Sequence, residues 1–437
     1  MNRDLSEQLL ETKRVSIWGG GYLGYTSIIR IQSAGFSVNL YELDGNRIEG
    51  LKSGSFPDVK QKESWAISGD IPSVDLSKLT ICSSASQMFD SPVHIVSFPV
   101  VNLSNRNLLI GLAESFIKNR ELIDEPLVLF QSAGVPRSIY KSFIRHLEKE
   151  GILCYYASAF RSDWVIEEFL LNKKSQVIAG YTKEGLERAT IFFNLLGIDY
   201  SIISSIEEAE VYENAQNALH YTISTFINQL SLSYSGIDLR SMSKLLLKNI
   251  KTDKIAINIG SLKYKVANSL SQLMDGIPGD NYLTILKEAQ NGNISVLLYY
   301  GDLLKQRDVK SITILGISAK GTFKDIRFSP ALIFAEYLHR QGMDIYVNDP
   351  HYGKDDILQI VPFAKYLDLR EERVESDALI LFRDHSFYRS FSQKDIEHKG
   401  ISSVKIIIDD TGIFQNFRFS ENTLYHMPGD GKLIKLS

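Results

Sequence analysis

The sequence predicts an α/β fold in which two doubly wound parallel-sheet domains are joined by a central all-α segment. Three observations predict it. Short apolar strands alternate with helical segments over the first 205 residues, almost no strand pattern occurs between residues 206 and 308, and the alternation resumes at Ser311. Strands separated by helical segments are typical of parallel sheets that helices cover on both faces.

The first half begins with a strand, a helix and a second strand. Val15–Trp18 is a short apolar run, Thr26–Gly35 has helical spacing and ends on glycine, and Ser37–Glu42 is predicted as the next strand. Further apolar runs predict strands that begin near Leu79, His94, Leu127, Ile152 and Gln176. Helical segments lie between most of them.

A long helical run follows from residue 206 and closes at Gly236. The segment Ser311–Ser318 is then a predicted strand, and further helix and strand patterns follow it to the end of the chain. We therefore predict three domains, at residues 1–205, 206–308 and 309–437.

Composition excludes several classes of function. The 437 residues carry a net charge of −4 at pH 7, so nothing in the charge supports nucleic-acid binding. No apolar run approaches the roughly 18 residues that span a bilayer, which predicts no membrane segment and a cytoplasmic protein. The two cysteines, Cys82 and Cys154, cannot form a disulfide framework, and no Cys/His cluster has the spacing of a metal site.

A glycine motif gives the first functional prediction. The pattern G-x-G-x-x-G falls on Gly19, Gly21 and Gly24, directly after a strand and at the start of a helix. Such glycines permit a tight turn, a close approach to a pyrophosphate and close helix–strand packing in a Rossmann-like domain. Glu42 ends the next strand, where a carboxylate can accept both ribose hydroxyls and repel a 2′-phosphate. The motif therefore predicts NAD rather than NADP, with a glycine turn that only shapes the fold as the alternative.

Blocks along the whole chain resemble the UDP-glucose/GDP-mannose dehydrogenase family. The opening unit includes the pair Tyr22–Leu23 inside the glycine loop, ENAQNALHYTISTFIN resembles the start of the family's central helix, and GIPGDNYLTIL its active-site loop. GISAKGTFKDIRFSPALIFAEYL resembles the signature of its C-terminal domain. The resemblance implies two Rossmann-like domains, NAD as cofactor and a nucleotide sugar as substrate. It also implies a homodimer, with residues 206–308 as the segment that mediates dimerisation and contributes to the substrate site. Family members oxidise the C6 alcohol twice through a cysteine-bound thioester.

The catalytic positions depart from the family pattern. The nucleophilic cysteine falls on Gly276, so no thioester can form there. The oxyanion-stabilising lysine falls on Glu213, while its partner asparagine is kept as Asn217. The two glutamates that flank the substrate fall on Ser158 and Ser162, which are candidates for sugar binding or for local caps. Further family positions fall on Ala133, Asn258 and Thr411.

Polar residues on one helix face could supply a base in place of the family's catalytic cysteine and lysine. Glu213, Asn217, His220 and Ser224 are spaced i, i+4, i+7 and i+11, which places them on one side of the central helix. His220 could act as a base oriented by Glu213, with Asp280 ordering the pocket. The alternative is a polar helix surface or subunit contact. Both cysteines are expected to be buried and structural.

The C-terminal signature supplies the remaining candidates. Lys320, Asp325 and Arg327 match the family's K-x-x-x-x-D-x-R pattern, whose basic residues help to hold substrate and cofactor. We assign Lys320 to the substrate and Arg327 to the cofactor, with a salt bridge to Asp325 as the alternative. His385 is expected to be structural.

Three hypotheses follow. The favoured one is a one-step or redox-neutral NAD-dependent reaction on a nucleotide sugar or a related polyol phosphate, without thioester chemistry. The second is a catalytically inactive paralogue with a binding or regulatory role. The third is a nucleotide-sugar 6-dehydrogenase with relocated catalytic groups.

Overall fold

The computed structural model describes residues 5–53, 74–98, 103–132, 134–160, 176–234, 236–249, 273, 283–318, 321, 324, 326 and 329–431. The chain forms two compact units. The first comprises Met1–Asp58, Ala66–Asn217 and Asn268–Asn281. The second comprises Val59–Trp65, Ala218–Ala267 and Tyr282–Ser437.

The first unit is built on an eight-stranded sheet with the order β3-β2-β1-β4-β5-β6-β7-β8. The strands are β1 Arg14–Trp18, β2 Ser37–Tyr41, β3 Leu79–Ile81, β4 Val93–Val96, β5 Leu127–Phe130, β6 Tyr155–Phe160, β7 Gln176–Gly180 and β8 Tyr200–Ile202. All neighbouring pairs are parallel except β6 and β7, which are antiparallel. Strands β4, β5 and β6 are buried at every position, because helices cover both faces of the sheet.

Helices of the first unit follow the strands in the order expected for a doubly wound domain. They are α1 Leu5–Thr12, α2 Tyr22–Ser33, α3 Gly45–Lys52, α4 Leu103–Lys118, α5 Arg145–Lys149 and α6 Lys183–Leu195. A π-helical turn at Tyr140–Ile144 leads into α5. Leu5 and Leu9 of α1 are buried, although the sequence predicts only a polar arm there.

Long helices fill the middle of the chain, as predicted. They are α7 Ile206–Ser233, α8 Leu239–Asn249 and α9 Thr284–Gln306. Gly292 of α9 permits close packing on α7, since a Cβ at Gly292 would lie 2.7 Å from Nε2 of Gln229. None of the helices in the described parts of the chain combines the length and the apolar character that crossing a bilayer requires.

The second unit contains a six-stranded, all-parallel sheet with the order β11-β10-β9-β12-β13-β14. Its strands are β9 Ser311–Leu315, β10 Asp344–Asn348, β11 Lys365–Tyr366, β12 Ala378–Leu381, β13 Ile406–Asp409 and β14 Leu424–His426. Its helices are α10 Pro330–Arg340, α11 Lys354–Ile360, α12 Ser386–Arg389 and α13 Gln393–His398. With β9 counted first, the strand order is 3-2-1-4-5-6, the doubly wound order of dinucleotide-binding domains.

The predicted fold class is confirmed, although individual elements differ. Strands β8, β11 and β14 are not among the predicted strands, because none of them forms a run of buried apolar residues. The predicted parallel sheet also contains one antiparallel pair, β6 with β7. Apolar periodicity marks the positions of strands but carries no information on their direction.

Candidate functional site

The glycine loop lies at the point where the order of the first sheet reverses. Strand β1 pairs with β2 on one side and with β4 on the other, and both pairs are parallel. The carboxyl ends of these three strands therefore meet at one edge. In open α/β sheets the crevice at this edge is where ligands bind.

The three glycines of the loop differ in why a side chain would or would not fit at their positions. Gly19 has a φ of +102°, which side-chain-bearing residues rarely adopt. A Cβ added to Gly24 would lie 1.9 Å from the carbonyl oxygen of Gly19, so helix and turn could not pack as they do. A Cβ on Gly21 would meet no atom within 4 Å. Gly21 is thus unnecessary for packing and leaves space above the turn.

Helix α2 begins directly at this open space. Its N-cap residue is Gly21, and no side chain caps the helix there. The first N–H groups of a helix lack intrahelical partners and carry the positive end of the helix dipole, which favours a phosphate. Leu23 is half-buried, and its carbonyl accepts hydrogen bonds from the hydroxyls of Thr26 at 3.0 Å and Ser27 at 2.8 Å. The side chain of Tyr22 lies outside the described part of the structure.

Glu42 directly follows β2 and lies beside the loop. Its Oε2 accepts a hydrogen bond from the N–H of Gly20 at 2.6 Å, and its Oε1 accepts from the N–H groups of Leu43 at 2.7 Å and Asp44 at 2.9 Å. These contacts fix the carboxylate at the carboxyl end of β2. The open turn, the helix terminus and this carboxylate fit the pyrophosphate and ribose of a dinucleotide.

Arg47 is a site residue that the sequence analysis missed. Its Nη1 lies 3.8 Å from Oε2 of Glu42, and about a third of its side chain is exposed. Arg47 comes this close because α3 starts at Gly45, three residues after Glu42, and Arg47 lies in its first turn. Asp44 is exposed and is the N-cap of α3, where its side chain accepts hydrogen bonds from the N–H groups of Asn46 and Arg47.

The polar face of α7 is mostly buried. Glu213 and Asn217 are both buried, and Nδ2 of Asn217 lies 3.5 Å from Oε1 of Glu213. Ser224 is also buried, whereas His220 is half-buried. The structure therefore brings Glu213 and Asn217 together, as their spacing predicts. Asp280 lies outside the described residues.

Glu210 is a second residue that the sequence analysis did not identify. This buried carboxylate accepts hydrogen bonds from the N–H of Arg137 at 2.7 Å, the hydroxyl of Ser138 at 3.0 Å and the N–H of Ile139 at 3.3 Å. Burial raises the pKa of Glu210 to about 7, although these donors oppose the rise. Glu210 thus attaches α7 to the start of the helical segment that follows β5.

Neither cysteine is placed as a nucleophile. Cys154 is buried, and burial raises the pKa of its thiol to about 12. Cys82 is also buried, and the pKa of its thiol is raised for the same reason. A buried thiol of raised pKa holds its proton near neutrality, so the expectation of structural cysteines agrees with the structure.

Several candidates can be placed only in part. Ser158 is fully buried in β6, and its hydroxyl has no hydrogen-bond partner within the described ranges. Thr411 donates its N–H and its hydroxyl to the Asp409 carboxylate. His385 is buried, with Nε2 3.2 Å from Oδ2 of Asp349, which agrees with a structural role. Outside the described residues lie Ala133, Ser162, Asn258, Gly276, Lys320, Asp325 and Arg327.

Comparison with known proteins connects this fold to one family. Residues 313–416 match the model of the UDP binding domain of the UDP-glucose/GDP-mannose dehydrogenase family. The chain is 22% identical to the UDP-N-acetyl-D-mannosamine dehydrogenase of Methanococcus aeolicus, over 99% of this chain and 98% of that protein. It is also 22% identical to the GDP-mannose 6-dehydrogenase of Pseudomonas savastanoi pv. phaseolicola, over 89% of this chain and 95% of that protein.

Solved structures show the same architecture. The UDP-D-ManNAc dehydrogenase of Pyrococcus horikoshii superposes with a TM-score of 0.74 at 19% identity, over 96% of this chain and all of that one. The UDP-glucose dehydrogenase of Pyrobaculum islandicum gives a TM-score of 0.74 at 16% identity, over 94% and 96% of the two chains. The relatives of this chain are therefore nucleotide-sugar dehydrogenases, and its resemblance to the UDP-glucose/GDP-mannose dehydrogenase family is confirmed.

Proposed function

We propose that the chain is an NAD-dependent oxidoreductase that acts on a CH–OH group of a nucleotide sugar or a related polyol phosphate. The observation that carries this proposal is the glycine loop. Gly21 leaves open space at the start of α2, and Glu42 is fixed beside that space. Packing requires Gly24 but gives no reason for Gly21, whereas the close approach of a pyrophosphate does.

The selection of NAD follows from charge. The Glu42 carboxylate accepts three backbone hydrogen bonds, which leaves about one lone-pair position for a hydroxyl of the adenosine ribose. Its negative charge repels a 2′-phosphate. The N–H groups at the start of α2 would receive the pyrophosphate. NAD, when bound, supplies the hydride acceptor. The chain must therefore contribute a place for the substrate alcohol and a base for its proton.

We propose a one-step or redox-neutral reaction because the chain offers no thiol for a second oxidation. The resemblance implies that Gly276 takes the position of the family's cysteine, and the two thiols of the chain are buried, with raised pKa. The product of the first oxidation would then be released, or reduced again at the same site in an epimerisation or an elimination.

The proposed base is His220, with Glu213 and Asn217 on the same helix and Asp280 ordering the pocket. Helix α7 is continuous from Ile206 to Ser233, so these spacings place the three helix residues toward one side. Lys320, Ser158 and Ser162 are proposed for the substrate, and Arg327 for the cofactor. We expect the reaction to take place in the cytoplasm.

We propose that the chain works as a homodimer through its central helices. Large apolar side chains are exposed there, among them Leu219 (59%), Phe226 (56%) and Leu245 (69%). Leu219 and Phe226 are seven residues apart and share one face of α7. Exposed apolar rows of this kind mark protein interfaces.

Phe226→Glu should shift the sedimentation coefficient to that of a monomer, whereas the exposed control Glu208→Gln should not.

The test is an activity screen with the purified full-length chain. The protein is incubated with NAD and a panel of UDP- and GDP-linked sugars. The formation of NADH is followed by its absorbance, and the sugar products are identified by mass spectrometry. We expect a keto, aldehydo or isomerised sugar that His220→Ala abolishes and Cys154→Ala retains. Release of a uronic acid would contradict the proposal.

A second candidate function is a non-catalytic relative that binds NAD and has a regulatory role. It is favoured by the altered catalytic positions, in which Glu213 replaces a lysine and Gly276 a cysteine. Binding of NAD with no product across the whole panel would support it. The third hypothesis, a 6-dehydrogenase with a relocated nucleophile, is disfavoured by the burial of Cys82 and Cys154.

A further inference from the structure

A short segment of the first unit lies between the proposed cofactor site and helix α7. Residues 134–139, here called the β5 turn, follow strand β5 and lead into the π-helical turn before α5. Strand β5 pairs in parallel with β4, so the β5 turn lies at the edge of the sheet where the crevice opens. The β5 turn and α7 as far as Asn217 belong to the same compact unit.

Gln131 fixes the chain ahead of the β5 turn to the cofactor side of the crevice. It is buried directly after β5, and its N–H donates to the carbonyl of Val96 at 3.0 Å. Its Oε1 accepts hydrogen bonds from the hydroxyls of Ser27 on α2 and Ser97 after β4, each at 3.0 Å. Helix α2 is the helix whose N-terminus is proposed to receive the pyrophosphate. The entry to the β5 turn is therefore tied to the proposed cofactor site.

Glu210 of α7 fixes the other end of the β5 turn. Its carboxylate accepts hydrogen bonds from the N–H groups of Arg137 at 2.7 Å and Ile139 at 3.3 Å, and from the hydroxyl of Ser138 at 3.0 Å. A helical segment begins at Arg137, whose carbonyl accepts from the N–H of Lys141. The first N–H groups of such a segment lack partners within it, and the positive end of its dipole favours a carboxylate. Glu210 therefore caps a helical segment other than its own.

Helix α7 also compensates for an unfavourable backbone conformation in the β5 turn. Arg137 has a φ of +70°, which side-chain-bearing residues rarely adopt. Its N–H donates to Glu210, and its guanidinium forms an ion pair with Glu207, which lies one helical turn earlier on α7. Nδ2 of Asn214 adds a hydrogen bond to the carbonyl of Gly134 at 2.9 Å. Three side chains of one helix thus hold the β5 turn in its conformation.

The same side of α7 carries two residues proposed for the reaction. Glu213 and Asn217 follow Glu210 at i+3 and i+7, positions that share one side of a helix. All three side chains are buried, and α7 is continuous from Ile206 to Ser233. Because the backbone of a continuous helix joins these positions rigidly, the contacts of Glu210 also fix where Glu213 and Asn217 lie relative to the crevice.

We propose that Glu210 is a positioning residue, which holds Glu213 and Asn217 in place beside the cofactor crevice by way of the β5 turn. This inference rests on the proposed function, because that function assigns Glu213 and Asn217 to the reaction. Glu210 acts through the turn and the helix rather than by contact with the substrate. Displacing reacting groups by about 1 Å costs roughly a hundredfold in rate, so a side chain that fixes their position contributes to turnover.

The first test measures hydrogen exchange in the full-length chain, with and without NAD. The variants are Glu210→Ala and Glu210→Gln, and the control is Glu208→Gln, at an exposed glutamate of the same helix. In Glu210→Ala the N–H groups of the β5 turn should exchange roughly tenfold to a hundredfold faster, the change expected when hydrogen bonds to a charged acceptor are lost. Glu210→Gln keeps one side-chain acceptor and should be intermediate. Glu208→Gln should resemble the wild type.

The effect of NAD on exchange tests the connection itself. In the wild type we expect NAD to slow exchange in α2, in the β5 turn and in residues 206–217 of α7, because contacts join these three elements in series. In Glu210→Ala the slowing in α7 should be lost, while the slowing in α2 remains. NAD affinity, measured by calorimetry, should change by less than about threefold, because the glycine loop and Glu42 are untouched.

The second test compares turnover on the nucleotide sugar that the activity screen identifies. We expect kcat to fall roughly tenfold to a hundredfold in Glu210→Ala and less in Glu210→Gln, with KM nearly unchanged. Thermal melting shows the folded fraction of each variant. If Glu210→Ala does not fold, Glu210→Gln is judged by the same exchange and kinetic measurements.

Two exchange results would overturn the inference. One is wild-type exchange at the β5 turn in a Glu210 variant, and the other is binding of NAD to the wild type with no change of exchange in α7. An equal change of kcat and KM, or none, would also contradict a positioning role. Absence of any sugar product from the wild type would instead overturn the proposed reaction, and a Glu210-dependent effect of NAD on α7 would still support the connection.

Discussion

The carboxylate of Glu42 accepts a hydrogen bond from the backbone N–H of Gly20 at 2.6 Å. The residue proposed to hold the ribose therefore also holds the glycine turn in place. This contact joins the carboxyl end of β2 to the loop after β1, and it places both parts of the proposed cofactor site in one rigid arrangement.

Glu42→Gln should weaken NAD binding by roughly tenfold to a hundredfold, because hydrogen bonds to a charged acceptor contribute about 1.5–3 kcal/mol. It should also reduce the preference for NAD over NADP, since the repulsion of a 2′-phosphate is lost. Titration calorimetry with both cofactors measures the two effects. Glu49→Gln, in the exposed Glu49–Lys52 pair of α3, is the control and should bind both cofactors as the wild type does. An unchanged NAD affinity in Glu42→Gln would exclude the ribose contact.

Two glycine variants separate folding from binding. Gly21→Ala adds a methyl group with no atom within 4 Å, so its melting temperature should stay near that of the wild type while NAD binding is lost. Gly24→Ala adds a methyl group 1.9 Å from the carbonyl oxygen of Gly19, so it should lower both stability and NAD affinity. Thermal melting with and without NAD distinguishes the two. Normal NAD binding by Gly21→Ala would show that the open space is not used by a pyrophosphate.

We expect Arg47 to weaken the preference for NAD over NADP that Glu42 provides. Its guanidinium lies 3.8 Å from the Glu42 carboxylate and partly offsets the negative charge that a 2′-phosphate would meet. Arg47→Gln should therefore raise the ratio of the NADP to the NAD dissociation constant, an effect that shrinks at high salt. Arg120→Gln, at an exposed arginine of the same unit, is the control. A ratio that falls in Arg47→Gln would contradict this role.

The sequence predicts best those elements whose burial is uniform. All four residues of β12 are buried, and their apolar run predicts a strand directly. Strand β8 has no such run, because Tyr200 is half-buried while Ser201 and Ile202 are exposed. Helix α1 is missed for a related reason: only three of its residues, Leu5, Gln8 and Leu9, are buried, within a polar segment.

The residues of the candidate site also differ in whether the sequence alone can identify them. Glu42 is predictable, because the glycine motif fixes its distance along the chain and the end of β2 fixes its place. Arg47 is not, because its position depends on where α3 begins. Glu210 is equally hidden, since a glutamate in a polar helix gives no sign that it is buried against the turn after β5.

His94 should make the first unit less stable in acid. It is buried beside Trp18, whose Nε1 donates to its Nδ1 at 3.1 Å, and burial lowers the pKa of His94 to about 3. The ordinary value of about 6.5 applies to the unfolded chain. Between pH 3 and 6.5 the unfolded state therefore binds one more proton at His94 than the folded state does. The free energy of unfolding keeps its full His94 contribution above pH 6.5 and falls by about 1.4 kcal/mol per pH unit below that value. Urea unfolding of His94→Asn, whose amide oxygen can still accept from Trp18, should lose this component of the pH dependence.

Glu210 should act in the opposite direction over an overlapping range. Burial raises the pKa of Glu210 to about 7 from its ordinary value of 4.5, so between pH 4.5 and 7 the folded state binds one more proton than the unfolded state. The contribution of Glu210 to the free energy of unfolding is therefore fully present below pH 4.5 and is lost as the pH rises to 7. Relative to the wild type, Glu210→Gln should become less stable as the pH falls from 6.5 to 5, because the His94 effect is no longer opposed. His94→Asn should instead become relatively more stable over the same range. Urea unfolding of both variants at several pH values measures the two slopes, and slopes of the same sign would show that one of the two groups titrates normally in the folded protein.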